Sequence, residues 1–171
     1  MQSPDVNAKF ALLDEAATAS LGACLAAAIT PGLVVYLEGD LGAGKTALAR
    51  ALIRALGYAG AVKSPTYSLV EVYVVSNLYL YHFDFYRFES PEEFLDAGLD
   101  EYFNDHSVCL VEWPERAQGC VPPPDLRIQL HHAGLGRLVE AVAATSKGQE
   151  CLSAMRTAMS VGDSCATPAP R

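Results

Sequence analysis

A chain of 171 residues with 12 Lys and Arg against 20 Asp and Glu carries a formal net charge of −8, which argues against a module that grips nucleic-acid phosphates over a broad basic surface. Its five cysteines are scattered, odd in number and without a C-x-x-C pair, and its four histidines lack metal-ligand spacing, so neither a disulfide framework nor a zinc site is expected. No apolar run approaches the ~20 residues of a membrane span, and the start Met1-Gln2-Ser3-Pro4-Asp5 lacks the basic residues and apolar stretch of a secretory signal, so a cytoplasmic protein is expected.

The length fits one domain, taken as residues 1–161. From Gly162 the composition turns to Gly, Ser, Ala, Thr and Pro, and 162–171 reads as a disordered tail. Residues 1–9 read as a loose or edge segment. Asp14 caps a helix expected over Glu15–Ala28, which Thr30-Pro31-Gly32 ends. Leu33–Leu37 is a short apolar run that reads as a buried strand, and Lys45–Leu56 as a helix stopped by Gly57. After a loop over 58–65, Tyr67–Val75 and Leu78–Phe85 read as an antiparallel hairpin turned at Ser76-Asn77. Alternation puts Tyr79, Tyr81, Phe83 and Phe85 on one face of its second strand, expected to be core or else a docking surface, and Leu80, His82, Asp84 and Tyr86 on the other. Ser90-Pro91-Glu92-Glu93 is a capping box for a short helix ending at Gly98. Val108–Val111 reads as a buried strand leading into Glu112. Arg127–His131 and Leu138–Ala143 read as late strands at a sheet edge, and Gln149–Met159 as a last helix. Strands and helices mixed in this way imply an α/β fold: a P-loop NTPase-like mixed sheet with flanking helices and one antiparallel hairpin.

The segment Gly39-Asp40-Leu41-Gly42-Ala43-Gly44-Lys45-Thr46 matches the phosphate-binding pattern G-x-x-x-x-G-K-[ST], in the strand–loop–helix setting that this pattern requires. Its glycines let successive N–H groups point at one anion, and the helix N-terminus adds partial positive charge. Lys45 would reach the β- and γ-phosphates, and the Thr46 hydroxyl would ligate Mg²⁺. A hydrolysis site also needs a strand-end carboxylate for the metal and a group that orients water. Glu112, leaving the carboxyl end of a buried strand, fits the first need, either on the metal or through water; otherwise it is a solvated strand-end residue. Asp84 is either a second acid near the metal or part of a polar stripe. Thr66, in Ser64-Pro65-Thr66-Tyr67, either senses the γ-phosphate or belongs to a proline turn. His82 would bond the backbone or support Asp84. Arg87 would neutralise transition-state charge or pair with a nearby Glu. Trp113 packs beside the nucleotide or closes the core. No N-K-x-D guanine signature occurs, which favours ATP.

Together, Gly39–Thr46, Lys63-Ser64-Pro65-Thr66-Tyr67, Tyr81-His82-Phe83-Asp84-Phe85-Tyr86-Arg87 and Leu110-Val111-Glu112-Trp113-Pro114-Glu115 resemble the bacterial TsaE (YjeE) ATPases over roughly residues 10–145. The resemblance implies a role in making threonylcarbamoyladenosine beside the anticodon of tRNA. It also implies weak ATP hydrolysis with Mg²⁺ and docking on the TsaB–TsaD pair, with tRNA reached only through that complex. Carried over by position, Thr46 and Glu112 would be the metal ligands, Asp84 the catalytic acid, and Glu15 and Arg137 nucleotide contacts. The loop residues Asp40 to Thr46 and the following Ala47 would line the nucleotide, with Ala47 standing where the family commonly has a second Thr. Two other readings compete: a small-molecule kinase, for which Arg116 alone offers a lid arginine, and a non-catalytic nucleotide switch.

Overall fold

A computed structural model describes residues 6–163. In chain order it comprises β1 (Asn7–Leu12), α1 (Glu15–Ala28), β2 (Val34–Glu38), α2 (Lys45–Ala55), β3 (Val70–Val75), β4 (Leu78–Asp84), α3 (Glu93–Asp96), β5 (Ser107–Glu112), β6 (Leu126–Ala133), β7 (Gly136–Ala143) and α4 (Ser146–Asp163). Single turns of 3₁₀ helix lie at Leu99–Tyr102 and Pro114–Ala117. The seven strands form one sheet in the order β1-β7-β6-β2-β5-β4-β3. Its centre, β6-β2-β5-β4, is parallel, and antiparallel strands flank it on both sides.

Local signals set most helix ends. The Asp14 carboxylate accepts the Ala17 N–H at 2.8 Å and starts α1, satisfying one of the orphan donors of a helix N-terminus. Glu93 accepts the N–H groups of Glu89 and Ser90 at 2.6 and 2.9 Å, the reciprocal half of a capping box. Gly57 has a φ of +97° just past the C-cap of α2, a backbone shape glycine adopts without strain.

β5 is buried at every position, as expected of a parallel strand covered on both faces. One face of the sheet packs on α1, α2 and α4 through Leu21, Leu25, Leu48, Leu52, Leu152 and Met155. On the other, Phe83, Phe85, Phe88 and Phe94 form a second core with Tyr36 and Val111, including a Phe85–Phe88 stack with 4.9 Å between centroids. The aromatic face that begins on β4 is thus core at Phe83 and, just past the strand, at Phe85, while Tyr79 is 47% exposed at its far end.

Three expectations change. The first strand of the hairpin starts at Val70, not Tyr67: residues 66–69 turn instead, with Leu69 at a φ of +69° and its N–H donating to Pro65 O at 2.9 Å. The late strands β6 and β7 form a second antiparallel hairpin inside the sheet, not at its edge, because β1 adds outside β7 and β6 pairs with central β2. Finally, α4 runs to Asp163, past the expected boundary at Gly162; the rest of the expected tail lies outside the described residues.

Candidate active site

The phosphate loop joins β2 to α2. Gly44, at the N-cap of α2, has a φ of +106°, a conformation that costs a side-chain-bearing residue strain. A Cβ there would also lie 2.6 Å from the Arg137 guanidinium. Among the described residues, no group accepts the N–H groups of Gly42, Gly44, Lys45 and Thr46. Free donors at the start of an eleven-residue helix make an anion site.

The β4–β5 register sets Asp84 beside Glu112. Both lie at the carboxyl ends of parallel strands, where α/β sheets bind ligands. They share one cavity of about 190 Å³ with Leu41, Gly42, Gly44, Lys45, Thr46, Ala47, Thr66 and Trp113. Glu112 is 2% exposed. The Thr46 hydroxyl donates to its two oxygens at 3.0 and 3.1 Å, and His82 Nε2 lies 2.7 Å from Oε2. Asp84 accepts the Tyr86 N–H at 2.9 Å and the Thr66 hydroxyl at 3.3 Å, and Thr66 in turn contacts the Ser64 hydroxyl at 2.8 Å.

Lys45 Nζ donates to the carbonyls of Gly39 and Asp40 and lies 4.1 Å from the centre of the Trp113 ring, within cation–π range. Tyr86 packs on Trp113 at 4.9 Å, and the Arg116 guanidinium stands 5.5 Å over Tyr86. Trp113 turns the chain away from β5 at a φ of +56°.

Burial is the main electrostatic influence. It pushes the Asp84 carboxyl above the usual carboxylate range; the neighbouring Glu112 charge adds to this, while the Tyr86 N–H and the Thr66 hydroxyl pull it back. Burial also lowers the Lys45 ammonium, against the pull of Glu112, Glu115, Asp84 and Asp40.

Most of the residues expected from the sequence therefore meet in one place. Of the loop, Asp40 takes part through its carbonyl, and Ala43 is buried beneath the turn. Glu15 and Arg137 line a separate cavity of about 560 Å³ with Thr18, Arg50 and Arg54. This second cavity shares Ala47 with the first, and Arg137 reaches back to Gly44. Arg87 pairs with no Glu among the described residues: its guanidinium sits 4.0 Å over the Tyr67 ring. His82 bonds Glu112 rather than Asp84 or the backbone. Its place on the Asp84 face of β4 was legible from the alternation, but its partner on β5 was not.

The donor set fits a hard divalent cation. A hydroxyl and a carboxylate oxygen meet beside a phosphate cradle, and Mg²⁺ is commonly bound by one or two carboxylates plus substrate phosphates.

A central parallel strand, a glycine loop with free N–H groups and carboxylates on the adjacent strands define a phosphate-loop nucleotide-binding fold of the α/β class. A family-wide sequence model, "Threonylcarbamoyl adenosine biosynthesis protein TsaE", matches residues 12–139. The chain is 45% identical over 122 residues to the tRNA threonylcarbamoyladenosine biosynthesis protein TsaE of Haemophilus influenzae, covering 71% of this chain and 77% of that protein. Its identity to the protein of the same name from Bacillus subtilis is 43% over 117 residues, 68% of this chain and 73% of the other. The crystal structure of YdiB from B. subtilis superposes with a TM-score of 0.74 at 30% identity, covering 88% of this chain and 95% of that one. The chain belongs to the TsaE family.

Proposed function

We propose that this chain is the Mg²⁺-dependent, ATP-binding and ATP-hydrolysing component of the machinery that makes threonylcarbamoyladenosine beside the anticodon of tRNA. Family membership supports the pathway. The observation that carries the ATP chemistry is the contact of Thr46 with Glu112 beside Asp84, in one cavity with Lys45.

The free N–H groups at the start of α2 hold the phosphate chain. Lys45 exchanges the Gly39 and Asp40 carbonyls for phosphate oxygens, and the Trp113 face keeps its ammonium close to the loop. Thr46 and Glu112 would hold Mg²⁺, which when bound offsets the charge of the phosphates. Asp84 orients a water toward the γ-phosphate and accepts its proton; burial, by raising its affinity for protons, suits it to that task. Thr66, hydrogen-bonded to Asp84, links the 61–69 segment to the γ-phosphate end. Glu15 and Arg137 contact the nucleoside end, in the adjoining cavity. ATP is the nucleotide, hydrolysis by the isolated protein is weak, and TsaB and TsaD are the partners that raise it in the cytoplasm. A net charge of −8 fits a protein that reaches tRNA through these partners rather than by gripping RNA.

The test is phosphate release from ATP with and without TsaB–TsaD. Stimulation by the pair is expected, and Glu112→Ala should lower turnover about 100-fold or more, the usual scale for losing a group that stabilises the transition state. Unchanged turnover in Glu112→Ala would remove the role given to Glu112. Phosphate transfer to a metabolite instead of water would replace hydrolysis with a kinase reaction.

A further inference from the structure

The buried contact between His82 and Glu112 has consequences beyond the roles above. We propose that His82 is a positioning residue: its Nε2–H fixes the Glu112 carboxylate so that Glu112 and Thr46 together present oxygens to a divalent cation. This rests on the reading of Glu112 as a metal ligand.

His82 and Glu112 are 1% and 2% exposed. His82 lies on β4, opposite Leu110 of β5, and reaches along the sheet to Glu112 Oε2 at 2.7 Å. The carboxylate accepts, so the proton of this bond belongs to the imidazole Nε2. From the other side Thr46 donates to both carboxylate oxygens at 3.0 and 3.1 Å. The flexible Glu112 side chain is therefore held between a strand and a helix. The Thr46 proton is committed to Glu112, which leaves the hydroxyl oxygen's lone pairs for a cation. Groups that orient a metal ligand in this way commonly change metal affinity 10- to 100-fold when removed.

A purely structural histidine fits the observations less well. His82 Nδ1 is buried with no hydrogen-bond partner among the described residues. An unsatisfied buried nitrogen costs stability, and an apolar side chain in the same place would avoid that cost. What His82 adds at this position is the donor at Nε2, aimed at the one carboxylate that also contacts the phosphate-loop threonine.

The test measures Mn²⁺ binding to the full chain saturated with ADP, read from the paramagnetic resonance of free Mn²⁺. ADP affinity in EDTA is measured by calorimetry beside it. His82→Leu and His82→Asn should each weaken Mn²⁺ binding about tenfold or more, with ADP affinity in EDTA unchanged within twofold. His82→Gln, whose amide nitrogen can stand where Nε2 does, should restore most of the Mn²⁺ affinity. Should His82→Leu fail to fold, the Asn and Gln pair carries the comparison. The proposal is overturned if Leu and Asn bind Mn²⁺ within twofold of wild type while Glu112→Gln loses it. It is also overturned if Gln is as weak as Leu and Asn, or if ADP affinity in EDTA falls in step with Mn²⁺ affinity. Wild-type Mn²⁺ affinity in Glu112→Gln would instead remove the metal reading of Glu112 itself.

Discussion

At the carboxyl ends of the central strands, Lys45, His82, Asp84 and Glu112 are each 5% exposed or less. On the outer face of the antiparallel wing, polar and charged side chains stay at least partly exposed. There a polar row, Lys9, Glu140 and Gln129, crosses β1, β7 and β6 in register and continues onto central β2 at Glu38, with a Lys9–Glu140 contact of 3.1 Å whose side chains are 72% and 31% exposed. Burying a charge is costly unless it is paired, and a surface ion pair changes stability little. The wing thus needs no functional explanation for its charges, whereas the buried group does. Chemistry is sought where ionisable groups persist out of water, in a cavity, beside an anion cradle.

The largest effect that tests this contrast is on nucleotide binding. Lys45→Ala should weaken ATP binding by about 10–100-fold, the scale of a charge-assisted hydrogen bond, as read by calorimetry. Wild-type affinity in that variant would mean that the buried cluster is not the nucleotide site.

A smaller effect is expected at Asp84. Burial raises its carboxyl pKa in the folded state, so the folded protein binds that proton more tightly than the unfolded chain does. The stability this contributes is present below the unfolded value and is lost as pH rises through the folded one. Asp84→Asn should therefore melt at a higher temperature than wild type at pH 7 in the absence of nucleotide and metal. That advantage should shrink toward pH 4, while turnover falls. Equal melting shifts at both pH values would show that burial does not strain the carboxylate.

The smallest effect belongs to the wing. Lys9→Ala should change unfolding free energy by no more than about 0.5 kcal/mol in denaturant titration and leave ATP binding unchanged. A loss of several times that size would end the contrast between the two regions.

Much of the fold was legible because its signals are local. The Asp14 cap, the Glu93 capping box and the apolar run of β5 each depend on residues a few positions apart. Strand order was not legible. β1 pairs with β7 through Lys9 and Glu140, and the composition of the late strands gave no sign that an earlier strand would lie outside them. The start of β3 was misplaced because Tyr67 and Leu69 have strand-like side chains, while the positive φ of Leu69 belongs to a turn held by Pro65 and Asp84. In the candidate site, the residue types at Lys45, Thr46, Asp84 and Glu112 were readable. The turn of Arg87 onto Tyr67 was not, because an exposed guanidinium has several partners within reach.

The sequence by itself determined the phosphate loop, since its glycines, lysine and threonine act within one turn of chain, and it determined the type of most helices and strands. Only the tertiary structure decided which carboxylate meets which donor. Glu112 is 66 residues from Thr46 and 30 from His82, and Arg137 closes on Gly44 from a strand on the far side of β6. These contacts depend on the register and order of a twisted sheet, which are set by the summed packing of two cores rather than by any short stretch of residues.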